Sequence, residues 1–497
     1  MENKFLVGYS KVDITPDIEA VPIGLVGNND HLTRICTGIR HHIWANCIAF
    51  TDESGETVIL FGTDLHGTDN RVVDAVRTNI FNLTDENPHI HVQIGTSHNH
   101  SGPDQGYSVT PGSMYYQGFL IQKLTEAAAA ALNDRKEAQM YMTFLRTEGM
   151  NFLRHYLLKD GQYLGGGGTA NAREKEILGF MEAPDELLQI VKFTREGEKD
   201  IVLFNFQGHP NAFTSYDPEI KKQNNTLLHG SAPERVRHYL LEKADCESLY
   251  IMGGSGNSCQ QSFVRSHNRY GTMEQYGETM ADLIIQAMKD MKPAKTGKIF
   301  YEEQQVPIWD PCREQIRPHR LAAMGFGDFG YAAVPFEVFQ SDAMAVREAS
   351  PYKFTIYNQT ANGNRGTGYL PDAHALTYPC YERGPCFAGH GTGQVFREIL
   401  ISMIKKLHKQ SGQEIAEKEA GYITDRTPKS DGAVYVLAEN PNPRLTYNNF
   451  AFVDIVKDGE IQPLLVCDIE TAEAIAEKKE TKLLFDGRNV CVGAVES

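Results

Sequence analysis

The sequence predicts a layered α/β fold with a mixed sheet, ending in a small β-rich subdomain. Apolar, β-branched runs alternate with segments of helical apolar spacing, which is the pattern of an α/β domain. Two pairs of runs are separated by only a short turn, so antiparallel hairpins are expected within the sheet. After residue 410 the helical spacing stops. We therefore predict a main domain over residues 1–410 and a β-rich subdomain over 411–497.

Each element in the first part of the main domain has its own signal. A strand that ends in Thr-Pro precedes a hairpin whose second strand is apolar throughout, so we expect burial on both faces. An amphipathic helix, a β-branched strand, a long helix of helix-forming residues and a further strand follow. In chain order these elements are predicted over 5–16, 43–52, 56–67, 68–83, 88–97, 114–134 and 138–149.

The second part continues the same alternation. A hairpin ends in His209-Pro210, and a later strand ends in a run of glycines. Three helices and one more strand complete the main domain. The elements are hairpin 188–210, strand 247–258, helix 272–291, helix 337–349, strand 353–364 and helix 394–410. The β-rich pieces of the subdomain are 432–439, 451–459 and 480–493.

Composition excludes several classes of protein. A formal charge of −16 argues against nucleic acid or an anionic membrane as a partner, because both attract basic surfaces. The sequence contains no apolar stretch of about 18 residues, and its first residues lack the apolar core of a secretory signal. Its 9 scattered cysteines form no CxxC pair, which favours reduced thiols. We expect a soluble, cytoplasmic protein.

Polar, coordinating residues lie where the predicted strands end. Ligand sites in α/β sheets lie beyond the carboxyl ends of strands, so these positions are candidate site residues. The set comprises Asp64 and His66, His98 and His100, His209, the turn 253–260 and the loop 362–371.

His98 and His100 are the most informative of these residues. Successive strand residues face opposite sides, so residues two apart place both imidazoles on one side. There, one ring can bind a metal and the other can act as an acid or base. Neutral imidazoles suit zinc, which keeps an open position for catalysis. A single histidine at a strand end more often bonds to backbone, and the spacing alone leaves both interpretations open.

The turn 253-GGSGNSC-259 allows a second kind of chemistry. Glycines there would let Ser258 or Cys259 project and would expose backbone N–H groups to an oxyanion. An ordinary tight turn explains the same glycines. The GxGxxG fingerprint of dinucleotide binding is absent from this turn.

In chain order, these motifs resemble those of the neutral (alkaline, non-lysosomal) ceramidase family. The most specific is 94-IGTSHNHSGP-103, which is similar to the family's Gly-Thr-His-Thr-His-Ser-Gly-Pro. The resemblance spans roughly residues 6–410 and implies an α/β domain around a catalytic zinc that hydrolyses an N-acyl amide. The other motifs that carry it are GYSKVDITP near the start, 208-GHP-210, 254-GSGNSC-259, 335-PFEVF-339, 368-GYLP-371 and 381-YE-382.

Matched position by position, the resemblance implies the residues of a zinc site. The implied zinc ligands are His98, His209, Glu337 and Tyr369. His100 would lie beside the water that zinc activates, and Arg154 and Tyr381 would be the arginine and tyrosine of the active site. Without the resemblance, Glu337 would be interpreted as the first residue of a helix and Tyr369 as part of the core.

One motif departs from the family. The segment 256-GNSCQQ-261 stands where the family has Gly-Asp-Val-Ser-Pro-Asn, which places Cys259 on the serine and Asn257 on the acid. Either the Cys259 thiol acts as nucleophile or proton shuttle, or the activated water performs the step alone. We favour the water.

We therefore expect a zinc-dependent hydrolase that cleaves an amide bond of a small polar substrate rather than ceramide. Asn257, Gln260, Gln261 and Arg365 suit a hydroxylated, sugar-like ligand. Cleavage of a glycosidic, ester or lactone bond, or a lyase reaction, stays open because a metal polarises oxygen in all of them. A non-catalytic ligand-binding homologue is the alternative from another class. Two roles fit the C-terminal segment: covering the site or forming a homo-oligomer contact.

Overall fold

The computed structural model describes most of the main domain and isolated strands of the C-terminal segment. The described residues are 4–27, 34–105, 112–165, 169–211, 213, 225–310, 315–363, 367–372, 375, 378, 380–388 and 392–423, with strands 434–436, 450–457, 460–468, 483–485 and 490–492.

The larger sheet has nine strands. They are β1 (Leu6–Asp13), β2 (Trp44–Thr51), β3 (Thr57–Thr63), β4 (Ile90–Thr96), β5 (Lys136–Arg146), β6 (Leu187–Arg195), β7 (Ile201–Phe206), β8 (Glu247–Met252) and β9 (Lys292–Ala294). Their order is β8-β7-β6-β5-β1-β2-β3-β4, and β9 also pairs with β5. The two end pairs, β7 with β8 and β3 with β4, are parallel, whereas the remaining pairs are antiparallel. The sheet is therefore mixed, as predicted.

A second sheet has four strands in the order β10-β11-β12-β13. They are β10 (Phe300–Asp310), β11 (Gln315–Phe326), β12 (Phe329–Ala333) and β13 (Phe354–Asn358). β10 and β11 form one long antiparallel hairpin, and β12 and β13 are parallel.

The two sheets pack face to face because alternate residues of each strand point to opposite sides. In β2, Ile48 and Phe50 enter the core between the sheets, where Phe329 and Tyr331 of β12 meet them. The next residue along β2, Ala49, packs instead on the outer side among helical residues. This alternation divides the apolar residues between an inner core and separate outer cores.

Six helices cover the outer faces. They are α1 (Asn70–Leu83), α2 (Ser113–Asn133), α3 (Ser231–Ala244), α4 (Met273–Met288), α5 (Gln340–Ala349) and α6 (Thr392–Ser411). The first four pack on the larger sheet, and α5 and α6 pack on the smaller one. The described main domain thus has four layers in the order helices, sheet, sheet, helices.

Shorter elements lie around this frame. The paired short strands are Gly38–Ile39 with Leu227–Leu228, Phe152–Leu153 with Ser258–Cys259, and Glu337–Val338 with Tyr369–Leu370. A small sheet joins His155–Leu158, Tyr163–Gly165 and Ile177–Phe180. Single helical turns span Thr169–Ala172, Glu174–Glu176, Arg265–His267 and Tyr381–Arg383. The C-terminal strands are Val434–Val436, Phe450–Lys457, Glu460–Asp468, Leu483–Phe485 and Val490–Val492.

The layered α/β class predicted from the sequence is confirmed. The strands β9 to β12 and the helix α3 were not predicted. Residues 300–310 include Glu302, Glu303 and Pro307, which weaken an apolar alternation. The buried face of α3 carries Glu234 and Arg237, which interrupt its apolar spacing. The helix predicted to start at residue 337 begins at Gln340, so Glu337 precedes it. The division at residue 410 stays a prediction.

Two further findings concern membranes and thiols. Among the described residues, no helix is long and apolar enough to cross a membrane. The six cysteines whose side chains are described are all free thiols, and most are buried: Cys36, Cys47, Cys246, Cys259, Cys380 and Cys386.

The contact between β1 and α2 provides a test of this packing. A Cβ atom added to Gly8 would overlap the carbonyl oxygen of Ala131, whereas one added to Gly118 on α2 would meet nothing within 4 Å. We expect Gly8→Ala to lower the free energy of unfolding by about 1–3 kcal/mol. The control Gly118→Ala should raise it by up to about 1 kcal/mol. Denaturant titration of both variants measures this, and a neutral Gly8→Ala would contradict the packing.

Candidate metal centre

Three segments converge beyond the ends of the strands. His98 follows β4 by two residues, and His209 follows β7 by three. Glu337 lies on a two-residue strand that pairs in parallel with Tyr369–Leu370, in register with Tyr369. The four zinc ligands that the resemblance implied are therefore neighbours in the fold.

His98, His209 and Glu337 form the core of the centre. Glu337 Oε2 lies 3.2 Å from His98 Nε2 and 2.8 Å from His209 Nε2. All three residues are buried, and their candidate ligand atoms lie within 4.8 Å of one another. Two imidazoles and a carboxylate form a donor set that catalytic zinc sites use.

Backbone carbonyls orient both imidazoles. His98 Nδ1 donates to the carbonyl of His66 at 2.8 Å, and His209 Nδ1 donates to the carbonyl of Ser255 at 2.7 Å. A hydrogen bond at Nδ1 leaves Nε2 unprotonated and available as a ligand, which is the usual arrangement of metal-binding histidines. His98 adopts a φ of 57°, a left-handed conformation that is uncommon outside glycine, two residues after the end of β4. The strand alternation expected for His98 and His100 therefore does not apply, and the turn brings the two rings together. The residues therefore fit a metal ion.

Charge at the centre also favours a cation. Burial acts to raise the pKa of Glu337, but His98 and His209 outweigh it and hold that pKa well below its usual range. Burial, together with Arg154, lowers the pKa of His209 to about 4. At neutral pH the carboxylate is therefore ionised and the His209 imidazole is neutral, and these are the forms that bind metal.

Tyr369 lies beside these three residues. Its hydroxyl is 3.4 Å from His209 Nε2, and its ring stacks on that of His209 with centroids 6.0 Å apart. Burial raises the pKa of Tyr369 well above its ordinary value. The phenol thus stands where it can act as a fourth donor, as the resemblance implied.

His100 is also part of the cluster. Its ring centroid is 5.0 Å from that of His98 and 5.8 Å from that of His209. It is buried, and neither of its ring nitrogens has a hydrogen-bond partner in the described structure. Burial, with the neighbouring histidines, lowers its pKa well below 6.5, so the ring is neutral at pH 7.

His66 was a candidate site residue to which the sequence assigned no role. The sequence placed it at the end of a predicted strand, but only the fold shows its neighbours. Its ring lies 4.0 Å from that of His98 and 4.9 Å from that of His100, centroid to centroid. These three histidines form a second set whose candidate ligand atoms lie within 4.8 Å of one another.

Arg154 reaches the centre through a buried ion pair. Its guanidinium lies 2.8 Å from Glu382 and 5.5 Å from the centroid of the Tyr369 ring, and it donates to the carbonyl of Gly256. His155 Nε2 lies 3.0 Å from the other oxygen of Glu382. Glu382 was part of a quoted motif but had no predicted role. Here it fixes the arginine against the Tyr369 ring.

A third set of candidate metal-ligating residues comprises His155, Cys380 and Glu382. Arg154 already neutralises Glu382, and His155 Nδ1 lies 2.6 Å from the hydroxyl of Tyr378. Burial raises the pKa of the Cys380 thiol above the ordinary range, which disfavours the thiolate. We interpret this set as a buried hydrogen-bond network that supports Arg154.

Tyr381 lies at the open side of the centre. Half of its surface is exposed (50%), and its ring meets that of Tyr369 edge to face with centroids 5.7 Å apart. It therefore lies next to an implied ligand, and its role as the active-site tyrosine stays a prediction.

The turn that departs from the family also lies here. The backbone N–H of His209 donates to the carbonyl of Ser258, and His209 and Cys259 form a β-bridge. The Asn257 amide accepts from the N–H of Gln340 and donates to Glu182, so it is engaged within the protein. The Gln261 amide donates to the carbonyl of Tyr270. Arg365 lies outside the described residues.

Cys259 is expected to be dispensable for turnover. Burial raises the pKa of its thiol to about 12, although Arg154 acts in the opposite direction. The thiolate is therefore scarce at pH 7, and a thiol that does not ionise is a poor nucleophile. We expect Cys259→Ser and Cys259→Ala to keep turnover within a few-fold of the wild type. A loss of about a hundredfold or more in both variants, with metal content unchanged, would make the thiol a catalytic group.

Gln359 joins two segments of the centre. Its Oε1 accepts from the N–H groups of Ser255 and Val338 at 2.9 and 3.1 Å, and Ser255 in turn holds His209. Groups that orient ligands typically contribute about 10–100-fold in metal affinity. We expect Gln359→Leu to weaken zinc binding by about that factor in a competitive chelator titration. Gln304→Leu, which removes an amide bonded to Glu302 on β10, is the control and should leave affinity unchanged.

Comparisons with known proteins agree on the fold. No family model matches the chain, and no curated protein matches its sequence. One similar solved structure is the neutral ceramidase from Pseudomonas aeruginosa, with a TM-score of 0.63 and 13% identity over 88% of this chain and 80% of that one. Another is a ceramidase complexed with C2, with a TM-score of 0.64 and 12% identity over 100% of this chain and 94% of that one. The chain therefore has a neutral ceramidase-like fold, which confirms the fold that the sequence motifs implied.

Proposed function

We propose that this protein is a zinc-dependent hydrolase that cleaves an amide bond in a small polar substrate. The observation that carries the proposal is the convergence of His98, His209 and Glu337, with both imidazoles oriented by backbone carbonyls. An amide is proposed as the bond because solved ceramidases share this fold.

The surrounding residues suit hydrolysis. A zinc ion, if held by this donor set, would supply Lewis-acid chemistry that polarises a carbonyl oxygen and activates water. The neutral His100 imidazole accepts the proton that the attacking water releases and passes it to the departing amine. Arg154 and Tyr381 stand on the side of Tyr369 and stabilise the negative charge that develops on the carbonyl oxygen.

The groups that surround the candidate ligands favour a polar substrate. His100 lies beside His98, and Arg154 and Tyr381 lie beside Tyr369. Imidazole, guanidinium and phenol groups suit the polar groups of a ligand better than an acyl chain. The same surroundings suit the second candidate, in which the same centre cleaves a glycosidic, ester or lactone bond of a sugar-like substrate or acts as a lyase.

The experiment compares substrate classes on one sample. Zinc-loaded protein is incubated in 18O-labelled water with N-acyl amino sugars, N-acyl amino acids, aryl glycosides and lactones, and the products are analysed by mass spectrometry. Hydrolysis of an amide is expected to place one 18O atom in the released carboxylate. Chelator-treated protein and His209→Ala serve as controls that should show no turnover.

Each outcome separates the candidates. If 18O appears in a sugar or in a hydroxy acid, the bond cleaved is that of a glycoside or a lactone and not an amide. An unsaturated product without 18O would identify a lyase. Tight binding of a ligand by thermal shift, without turnover of any class, would favour the non-catalytic homologue. Turnover that survives chelation would overturn the metal-dependent proposal.

A further inference from the structure

The donor groups around His98 outnumber those that one catalytic zinc uses. His98, His209, Glu337 and Tyr369 already provide four protein donors, and a catalytic zinc site has three or four ligands with a position left open. His66 and His100 remain as two additional imidazoles on the same side of the cluster. Imidazole is a preferred ligand for several first-row transition metals, so this surplus needs a chemical explanation.

His98 cannot explain the surplus by serving two ions. Its Nδ1 is committed to the carbonyl of His66, which leaves Nε2 as its single donor atom. That atom faces Glu337 at 3.2 Å and belongs with the His209 set. In the set of His66, His98 and His100, the ligand atoms that do not belong to the first set are therefore those of His66 and His100.

His100 gives the strongest indication of a ligand. The residue is 7% exposed, yet both of its ring nitrogens are buried without a hydrogen-bond partner in the described structure. Buried polar atoms in native proteins nearly always have a partner, and an ion is one of the recognised exceptions. The ring of His66, which lies 4.9 Å away, is the adjacent metal-binding group.

We infer that His66 and His100 form a second metal site beside the first, so that the centre binds two divalent cations. The inference rests on the proposed function in placing the first ion at His98, His209 and Glu337. Water or substrate oxygens would complete the second site. A ring nitrogen of His100 that binds this ion would no longer accept a proton, so the proton transfer proposed above for His100 applies to the centre with one ion. In hydrolases with two metal ions, the ions stabilise both the attacking oxygen and the leaving oxygen. A second ion here would therefore allow substrates whose leaving group is an oxygen, such as esters, in addition to amides.

Metal stoichiometry tests the inference without relying on turnover. Metal-free full-length protein is titrated with zinc by calorimetry, and bound metal is measured by inductively coupled plasma mass spectrometry. The wild type is expected to bind two equivalents, and His66→Asn and His100→Asn one each. The backbone carbonyl of residue 66 that orients His98 is retained in His66→Asn. His89→Ala, which alters a histidine on the surface, is the matched control and should bind two.

A spectroscopic measurement separates paired from isolated ions. Manganese-loaded wild type is expected to give the electron paramagnetic resonance signal of a spin-coupled pair, and His66→Asn that of an isolated ion. One equivalent in the wild type, two equivalents retained in His66→Asn, or no metal at all in both Asn variants would each overturn the second site. One equivalent that depends on His209 and supports amide hydrolysis would overturn this inference while leaving the proposed function intact.

Discussion

Replacing His98 or His209 with alanine is expected to remove one equivalent of bound zinc and to lower kcat/KM by about a thousandfold or more. Both imidazoles contact Glu337 through Nε2, so each substitution removes one of the donors around a single position. Metal ions contribute several kcal/mol to transition-state stabilisation in hydrolases, and each 1.4 kcal/mol is about tenfold in rate. Metal analysis after dialysis and steady-state kinetics measure the two effects.

The matched control is again His89→Ala, because that histidine is largely exposed and pairs with Glu56 away from the centre. Its metal content and kinetics should equal those of the wild type. Circular dichroism of each variant shows whether the fold is retained. Wild-type zinc content in His98→Ala and His209→Ala, with the fold intact, would contradict the assignment of the first metal site.

Replacing Glu382 with glutamine is expected to lower the free energy of unfolding by about 3–5 kcal/mol. Glu382 is completely buried between Arg154 and His155, at 2.8 and 3.0 Å. Removing one partner of a buried ion pair leaves the other charge without compensation, which costs about that amount. Denaturant titration of the metal-free protein in chelator measures the loss without a contribution from bound zinc.

Glu182→Gln provides the matched control. Its carboxylate accepts from the neutral amides of Asn257 and Gln340, so a glutamine there should cost little. The double variant Arg154→Met with Glu382→Gln should be more stable than Glu382→Gln alone, because it also removes the uncompensated charge. A loss below about 0.5 kcal/mol in Glu382→Gln would show that the ion pair does not stabilise the fold.

The same ion pair predicts a pH dependence. Burial acts to raise the pKa of Glu382, but Arg154 and His155 outweigh it and lower that pKa from 4.5 to about 2. As the pH falls, the unfolded chain therefore binds the proton first. The stabilisation is complete above pH 4.5 and is lost between pH 4.5 and about 2, at roughly 1.4 kcal/mol per pH unit. Glu382→Gln should lack this component when its stability is compared with the wild type over that range.

Local patterns in the sequence were sufficient for the layered α/β class and for most elements. Strand alternation and helical spacing identified β1 to β8 and most of the helices. An element that is buried on one face has apolar residues at a regular spacing, and a strand that is buried on both faces is apolar throughout. They failed for β10 to β12 and α3, where charged residues and proline interrupt the period. Those strands are stabilised by pairing with each other and by packing in the core between the sheets. A local sequence pattern does not predict either of these contacts.

For the candidate site, the sequence by itself determined the pair His98 and His100, because the motif and its spacing are contiguous. It also identified His209, Glu337 and Tyr369 through the family resemblance. Only the tertiary structure decided that Glu337 lies between two histidines, that Glu382 holds Arg154, and that His66 joins the cluster. Glu382 and Arg154 are 228 residues apart in the chain, and Glu337 and His209 are 128 apart. Such contacts depend on how strand ends are brought together by the sheets, and a single sequence carries no local signal of that arrangement.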